Sequence, residues 1–248
     1  MGLYIKEISK SAANRLNYVE RTMRSELKEC FETYDKIRRI DKLPTLSECR
    51  VLINTVDWRF GPSTYASLLL KNDYFQIVHH NLVRDVARLI KAIEPENSVE
   101  IAAGKGKISY WLNKRGVPIL ATDSGETIKS KWVERLNHKQ ALKKYNPDFV
   151  LVSSPPTMQM VVDIMRHESV KHVIVLKKAA DLLVNYKREL KRFAQSVDVL
   201  RINTYPSVID SLMGIDKDKK GMNILIKGGK ERGLNNLYKS ILVTTKRK

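Results

Sequence analysis

Apolar residues recur at helical spacing along the first 95 residues of the chain. Between Ser11 and Ile40 they follow one another in steps of three or four residues, which predicts an amphipathic helix. A shorter helix is expected up to Val56 with Ser47 as its cap, and residues 65–93 contain further helical stretches. We therefore expect residues 1–95 to form an N-terminal helical layer. The apolar positions of the first stripe are Leu16, Val19, Met23, Leu27, Phe31, Tyr34 and Ile37.

From residue 98 onwards, short apolar runs alternate with helical stretches. Short runs of this kind are typical of buried parallel strands, and their alternation with helices predicts an α/β protein. The predicted helices lie at 108–115, 138–145, 158–165 and 179–194. The predicted strands lie at 99–102, 117–122, 134–137, 148–152, 172–176, 197–202 and 222–226.

The stretch from Ser98 to Asp123 carries the first chemical signal. It is predicted to fold as strand, glycine turn, helix and second strand, and the second strand ends on Asp123. Gly104 and Gly106 allow the backbone to approach a ligand closely, and the Asp123 carboxylate can accept two hydrogen bonds from a ribose diol. No third glycine falls where a dinucleotide fingerprint requires it. A βαβ unit whose glycines only form a tight turn is the alternative.

The residues Glu100-Ile-Ala-Ala-Gly104-Lys-Gly106 resemble motif I of the class I S-adenosylmethionine-dependent methyltransferases, [D/E]-x-G-x-G-x-G. Ala102 replaces the first glycine, which is tolerated if Ala102 keeps strand dihedral angles. The resemblance covers residues 98–228. It implies a Rossmann-like, seven-stranded, mostly parallel sheet with antiparallel sixth and seventh strands and helices on both faces. The cofactor-binding domain would span 96–248, and the helical region 1–95 would cap its cleft.

The resemblance also implies roles for individual residues around S-adenosylmethionine. Glu100 would orient the turn or the methionine amino group, and Asp123 would hold the ribose hydroxyls. Asn137, or its neighbour His138, lies where an adenine-contacting side chain would follow the third strand. The expected cofactor-binding residues are Glu100, Ala102, Gly104, Gly106, Asp123 and Asn137.

Residues 153–156 read Ser-Ser-Pro-Pro and follow the strongest predicted strand. In the methyltransferase family this position is motif IV, beside the transferred methyl group, so Ser153, Ser154 and Pro155 are the expected catalytic residues. The likeness to the [D/N/S]-P-P-[Y/F/W] form is partial, because Thr157 stands where the aromatic residue belongs. Lys177 follows the fifth predicted strand, but the rest of the Lys-Asp-Lys-Glu set of ribose 2′-O enzymes is absent from the sequence. Ribose methylation is therefore not claimed.

The net charge narrows the choice of partner. The chain of 248 residues carries 45 basic and 27 acidic residues, a formal charge of +18. A surface this basic favours nucleic acid, and the excess is greatest in residues 177–192 and 217–248. We expect a methyltransferase whose acceptor is nucleic acid, RNA in particular. The alternatives are a nucleic-acid-binding protein that keeps the fold without catalysis, a small-molecule methyltransferase and an NAD-linked oxidoreductase.

The remaining features are weaker signals. Cys30 and Cys49 form no CxxC pair, and no metal site is expected. No apolar run approaches the roughly 20 residues that span a bilayer, and no secretory signal is found, so a cytoplasmic protein without membrane contact is expected. The adjacent His79 and His80 point in different directions on a helix, which predicts one packed and one exposed histidine. Residues 58–60, Trp-Arg-Phe, either line a substrate entrance or pack at a helix corner.

Overall fold

A computed structural model describes residues 10–61, 64–71, 77–125, 130–153, 157–176, 194–204 and 238–245. The predicted helix at 179–194 falls almost entirely outside these ranges, and the predicted strand at 222–226 falls wholly outside them.

The described N-terminal region is helical as predicted, but two of its helix boundaries differ from the prediction. The predicted helix 11–40 is divided in two, because Leu27 has non-helical backbone angles (φ −127°, ψ 58°). The next helix starts earlier than predicted, because Thr45 rather than Ser47 caps it in a reciprocal capping box with Glu48. The four helices are α1 (Lys10–Glu26), α2 (Lys28–Arg38), α3 (Leu46–Phe60) and α4 (Thr64–Leu70).

Helices α1 to α4 enclose a hydrophobic core of their own. Met23, Tyr34 and Val56 are almost completely buried in it. All seven predicted stripe positions lie in this core or pack against its edge. Leu27 is among them, although it breaks the helix. The amphipathic pattern therefore identified the buried face correctly even where it missed the end of a helix.

The fifth helix packs against the sheet instead. Helix α5 (His80–Ile93) buries Leu82, Val86 and Ile90 in the same cluster as the strand residues Phe149 and Leu151. Residues before position 95 thus contribute to the core of the α/β region. The domain division at residue 95 stays a prediction.

The sheet has the strand order β3-β2-β1-β4-β5-β7-β6. Strands β1 to β5 are all parallel, which confirms the predicted α/β class with a parallel sheet. Strand β7 is antiparallel to both β5 and β6, so β6 runs with the first five strands, and the expectation of two antiparallel strands was wrong for β6. The strands are β1 (Ser98–Ile101), β2 (Leu120–Asp123), β3 (Glu134–Arg135), β4 (Phe149–Val152), β5 (His172–Val175), β6 (Ala194–Thr204) and β7 (Tyr238–Thr245).

Alternating strand residues bury themselves on opposite faces of the sheet. Val150 and Val152 face α7 (His138–Tyr145) and α8 (Met158–Arg166). Phe149 and Leu151 face α5 and α6 (Lys107–Lys114) on the other side. With helices on both faces, the open region lies at the carboxyl ends of the strands, where ligands bind in open α/β sheets.

Candidate cofactor-binding site

The carboxyl ends of β1, β2 and β4 meet at one point. The Ala103 amide donates to the Thr122 carbonyl at 3.0 Å, which joins the chain after β1 to β2. The Ser153 hydroxyl donates to the Ala102 carbonyl at 3.1 Å, which joins β4 to β1. The structure thus brings Ser153 beside the glycine turn, as expected of motif IV. The other two expected catalytic residues, Ser154 and Pro155, lie outside the described ranges.

Asp123 holds the glycine turn through backbone amides. Its Oδ2 accepts from the Gly104 amide at 2.8 Å, and its Oδ1 accepts from the Gly125 amide at 2.7 Å. A carboxylate oxygen offers two lone pairs, so each oxygen has capacity for one more donor. The half-buried carboxylate therefore fixes the loop and can still accept ribose hydroxyls.

The two glycines of the loop are required for different reasons. Both have positive φ, +57° at Gly104 and +71° at Gly106. A Cβ on Gly106 would lie 2.6 Å from a methyl carbon of Val133, so packing against the segment before β3 demands glycine there. A Cβ on Gly104 would meet no described atom within 4 Å. Gly104 is itself buried, and the described part of the chain leaves the position of its Cβ unfilled.

Ala102 departs from the expected strand geometry. Its φ is +56°, in the left-handed region, so the condition under which alanine replaces the first glycine without strain is not met. The chain turns away from the sheet directly after Ile101, and the bonds of Ser153 and Thr122 to residues 102 and 103 hold that turn. For a non-glycine residue this conformation costs on the order of 1–2 kcal/mol.

Glu100 lies directly beneath the loop and is completely buried. Its Oε2 accepts from the Ser109 amide at 3.0 Å and from the Ser109 hydroxyl. The N-cap of α6 is Gly106, which has no side chain, so the Glu100 carboxylate serves as the capping group of this helix. Its other oxygen, Oε1, has no hydrogen-bond partner within the described part of the chain.

The environment of Glu100 moves its titration into the neutral range. Desolvation is the largest effect and raises the pKa of this carboxyl to about 7. The hydrogen bonds from Ser109 oppose that increase, and the negative charge of Asp123 adds to it. A ligand that offers a donor or a positive charge to Oε1 would therefore favour the ionised form.

Lys107 attaches the glycine loop to the N-terminal helices. Its ammonium group is buried and donates to the carbonyls of Lys36 and Ile37 at 2.7 and 2.8 Å, at the last turn of α2. Desolvation lowers the pKa of Lys107 to about 7. The Trp111 indole adds a second link, donating to the Ile40 carbonyl at 2.8 Å. Sequence reasoning missed Lys107, whose only signal was a lysine next to Ile108 on the apolar side of α6.

Asn137 caps helix α7. Its Oδ1 accepts from the Gln140 amide at 3.0 Å, and the Gln140 side chain accepts from the Asn137 amide at 2.9 Å. The exposed residue follows β3 as expected, and its contact with adenine stays a prediction. The neighbouring His138 has Nε2 2.9 Å from Asp163 Oδ2 and so ties α7 to α8.

Among the weaker candidates, His79 and Phe60 make structural contacts, and Trp58 is exposed. His79 is buried and caps α5 by accepting from the Leu82 amide, whereas His80 is exposed, which confirms the prediction of one packed and one exposed histidine. The Phe60 ring packs edge-on against Tyr18 at 6.5 Å. Within the described ranges no cluster of three or more metal-binding side chains occurs. None of the described helices combines the length and apolarity needed to cross a bilayer.

The basic segments singled out in the sequence cannot be placed in the fold. Lys177 and Lys178 lie outside the described residues, as do Lys217, Lys219 and Lys220. Of the region 217–248, the described part is β7.

No family model and no curated protein matches this chain. Among solved structures, the tRNA (m1A58) methyltransferase TrmI of Aquifex aeolicus is 10% identical, with 68% of this chain and 70% of that chain covered and a TM-score of 0.42. An Archaeoglobus fulgidus SAM-dependent methyltransferase is 12% identical, with 66% and 94% covered and a TM-score of 0.37. The plantazolicin methyltransferase BpumL, in complex with SAH, is 11% identical, with 93% and 99% covered and a TM-score of 0.37.

Proposed function

We propose that this protein is an S-adenosylmethionine-dependent methyltransferase and that its acceptor is RNA. The observation that supports the proposal is the unfilled Cβ position of the buried Gly104, which lies among residues from three strand ends. Gly104 is tethered to Asp123, and Ser153 is bonded to the residue at which the loop begins. A glycine that no packing contact requires, at the carboxyl edge of a parallel sheet, is what close approach by a nucleoside ligand needs.

The position of Glu100 favours this cofactor over a dinucleotide. A dinucleotide places its pyrophosphate at the N-terminus of the helix after the glycine turn. Here the buried Glu100 carboxyl already occupies the N-terminus of α6 and would repel a pyrophosphate. S-adenosylmethionine carries a sulfonium and an ammonium group instead, and both positive charges suit a site that contains Glu100 and Asp123.

In this proposal each expected residue has one task. Gly104 and Gly106 allow the backbone to pass close beneath the ligand. Asp123 accepts hydrogen bonds from the ribose hydroxyls, and Glu100 Oε1 accepts one from the methionine amino group. Asn137 faces the adenine after β3, and Ala102 sets the direction of the loop. The bound cofactor supplies an activated methyl group. The chain's own task is to hold the acceptor atom in line with it, which we assign to Ser153, Ser154 and Pro155.

We also propose that residues 1–95 cap the cleft. The contacts of Lys107 and Trp111 with the end of α2 support this proposal, because they attach the helical layer to the first turn and middle of α6, directly after the glycine loop. A layer attached there is close enough to close over a ligand at Gly104.

The charge of +18 supports a nucleic-acid acceptor. The test is transfer of a labelled methyl group from S-adenosylmethionine to total RNA, with nuclease digestion before precipitation. We expect acid-insoluble label that RNase removes and DNase does not. Label that resists both nucleases would contradict RNA as acceptor while supporting methyl transfer to protein. Calorimetric SAH binding without any turnover would favour the catalytically silent alternative.

A further inference from the structure

A row of aromatic rings borders the glycine loop on the α6 side of the sheet. The Tyr110 and Trp132 rings meet with centroids 5.2 Å apart and planes at 67°. Tyr110 also packs edge-on against Trp111 at 5.7 Å, and Trp111 against His80 at 6.3 Å. We call Tyr110, Trp132 and their lysine neighbours Lys114 and Lys131 the aromatic platform.

The indole of Trp132 is exposed although its backbone is held in place. The residue is 47% exposed, a large fraction for a tryptophan. Two contacts fix the segment that carries it: the Ser130 hydroxyl donates to the Lys105 carbonyl at 3.2 Å, and Val133 packs over Gly106. An exposed ring on a fixed segment next to the glycine loop is suited to bind a planar group with little loss of conformational freedom.

The charge around the platform is positive. The ammonium of Lys131 lies 5.0 Å from the centroid of the Trp132 ring, and that of Lys114 lies 5.8 Å from the centroid of Tyr110. Both lysines are exposed. Glu134 lies two residues after Trp132 in the sequence, and its carboxylate accepts hydrogen bonds from Lys144 and Tyr145. The platform therefore presents aromatic rings and positive charge together.

We infer that the aromatic platform binds single-stranded nucleic acid. Bases would stack on Trp132 and Tyr110, and phosphates would pair with Lys114 and Lys131. This combination of stacking rings and a basic track is the physical basis of single-strand binding, whereas a duplex keeps its base faces covered. Only the identification of the bound strand as the methyl acceptor rests on the proposed function. That identification is favoured because the segment carrying Trp132 contacts the glycine loop.

The test is fluorescence anisotropy of a labelled ten-nucleotide RNA, single-stranded and as a duplex, over a salt series. We expect Trp132→Leu to weaken single-strand binding roughly tenfold or more, because a stacking ring is lost, and Trp132→Phe to retain most of the affinity. Trp58→Leu is the matched control, since Trp58 is 87% exposed but lies on α3. It should leave the affinity unchanged. Lys131→Gln should reduce the slope of log K against log salt by about 0.7.

The outcomes separate this inference from the proposed function. If Trp132→Leu binds RNA as the wild type does, the platform is overturned, and calorimetric SAH binding with retained methyl transfer would leave the function standing. If Trp132→Leu loses RNA affinity but the wild type binds no SAH, the function fails and the platform stands. Equal losses in Trp132→Leu and Trp58→Leu would also overturn the platform.

A measurement on the wild-type protein removes any dependence on the folding of variants. RNA that contains 4-thiouridine is cross-linked by light, and the attached peptides are identified by mass spectrometry. We expect cross-links at Tyr110 or Trp132. Cross-links confined to other parts of the chain would contradict the inference.

Discussion

The two sides of the glycine loop bury opposite charges and use them differently. On the sheet side, Glu100 caps α6 through one carboxyl oxygen, and its other carboxyl oxygen has no described partner. On the helical side, the Lys107 ammonium donates two hydrogen bonds to backbone carbonyls at the end of α2. Thus Glu100 keeps one buried oxygen without a described partner, whereas the Lys107 ammonium is used in attaching the N-terminal helices.

The largest effect on stability is expected at Lys107. Lys107→Met keeps the length of the side chain but leaves two carbonyls of α2 without their donor, and each orphaned buried acceptor costs about 1–3 kcal/mol. We expect a loss of about 3 kcal/mol in the free energy of unfolding, measured by urea denaturation. Lys114→Met, at an exposed position of the same helix, is the control and should change it little. Equal effects in the two variants would show that the α2 contact does not matter.

The second-largest effect is expected for a substitution of Asp123, measured as a loss of SAH affinity. Asp123→Ala should weaken SAH binding by about 1.5–3 kcal/mol, the range for a hydrogen bond to a charged group, in isothermal titration calorimetry. Asp148 provides a matched control at the other end of the sheet, because its carboxylate also accepts two backbone amides, those of Glu96 and Asn97. Asp148→Ala should reduce stability and leave SAH affinity unchanged for the protein that remains folded. Unaltered affinity in Asp123→Ala would remove Asp123 from the site.

The pH dependence of stability distinguishes the two buried charges. The pKa of Glu100 is raised from 4.5 to about 7, so the folded state holds its proton longer, and the contribution of Glu100 to stability falls as the pH rises from 4.5 to 7. The pKa of Lys107 is lowered from 10.5 to about 7, so its contribution grows as the pH rises from 7 to 10.5. In a plot of unfolding free energy against pH, Glu100→Gln should reduce the slope between pH 4.5 and 7. Lys107→Met should reduce the slope between pH 7 and 10.5. A Glu100→Gln profile parallel to that of the wild type below pH 7 would contradict the assignment.

The smallest expected effect is at Ala102. Ala102→Gly removes the strain of a positive φ, partly offset by the greater freedom that glycine gives the unfolded chain. We expect a gain of about 0.5–1 kcal/mol in the free energy of unfolding. The adjacent Ala103→Gly, where φ is not positive, should instead lose stability. A loss in both variants would mean that Ala102 is not strained.

The sequence predicted local features far better than contacts between distant segments. Helix α7 was predicted at its observed bounds, and its end is marked in the sequence by Asn146-Pro147. Leu27 was missed as a break because it continues the apolar stripe and packs into the core from a non-helical conformation. The left-handed Ala102 and the burial of Lys107 were missed since they depend on residues far along the chain, Ser153 and the end of α2. For the same reason the pairing of Tyr110 with Trp132 had no local signal.

The central claim is that Gly104 faces a bound nucleoside, and a pair of valine substitutions tests it most directly. Gly104 and Gly116 both have positive φ, and a Cβ on either would meet no described atom within 4 Å, but Gly116 lies beyond the far end of α6. Both substitutions introduce similar backbone strain, but Gly104 is buried and Gly116 is exposed, so thermal denaturation must first show that both variants are folded. We expect calorimetry to show that Gly104→Val abolishes SAH binding and that Gly116→Val binds SAH as the wild type does. Wild-type affinity in Gly104→Val, or an equal loss in both variants, would contradict the account.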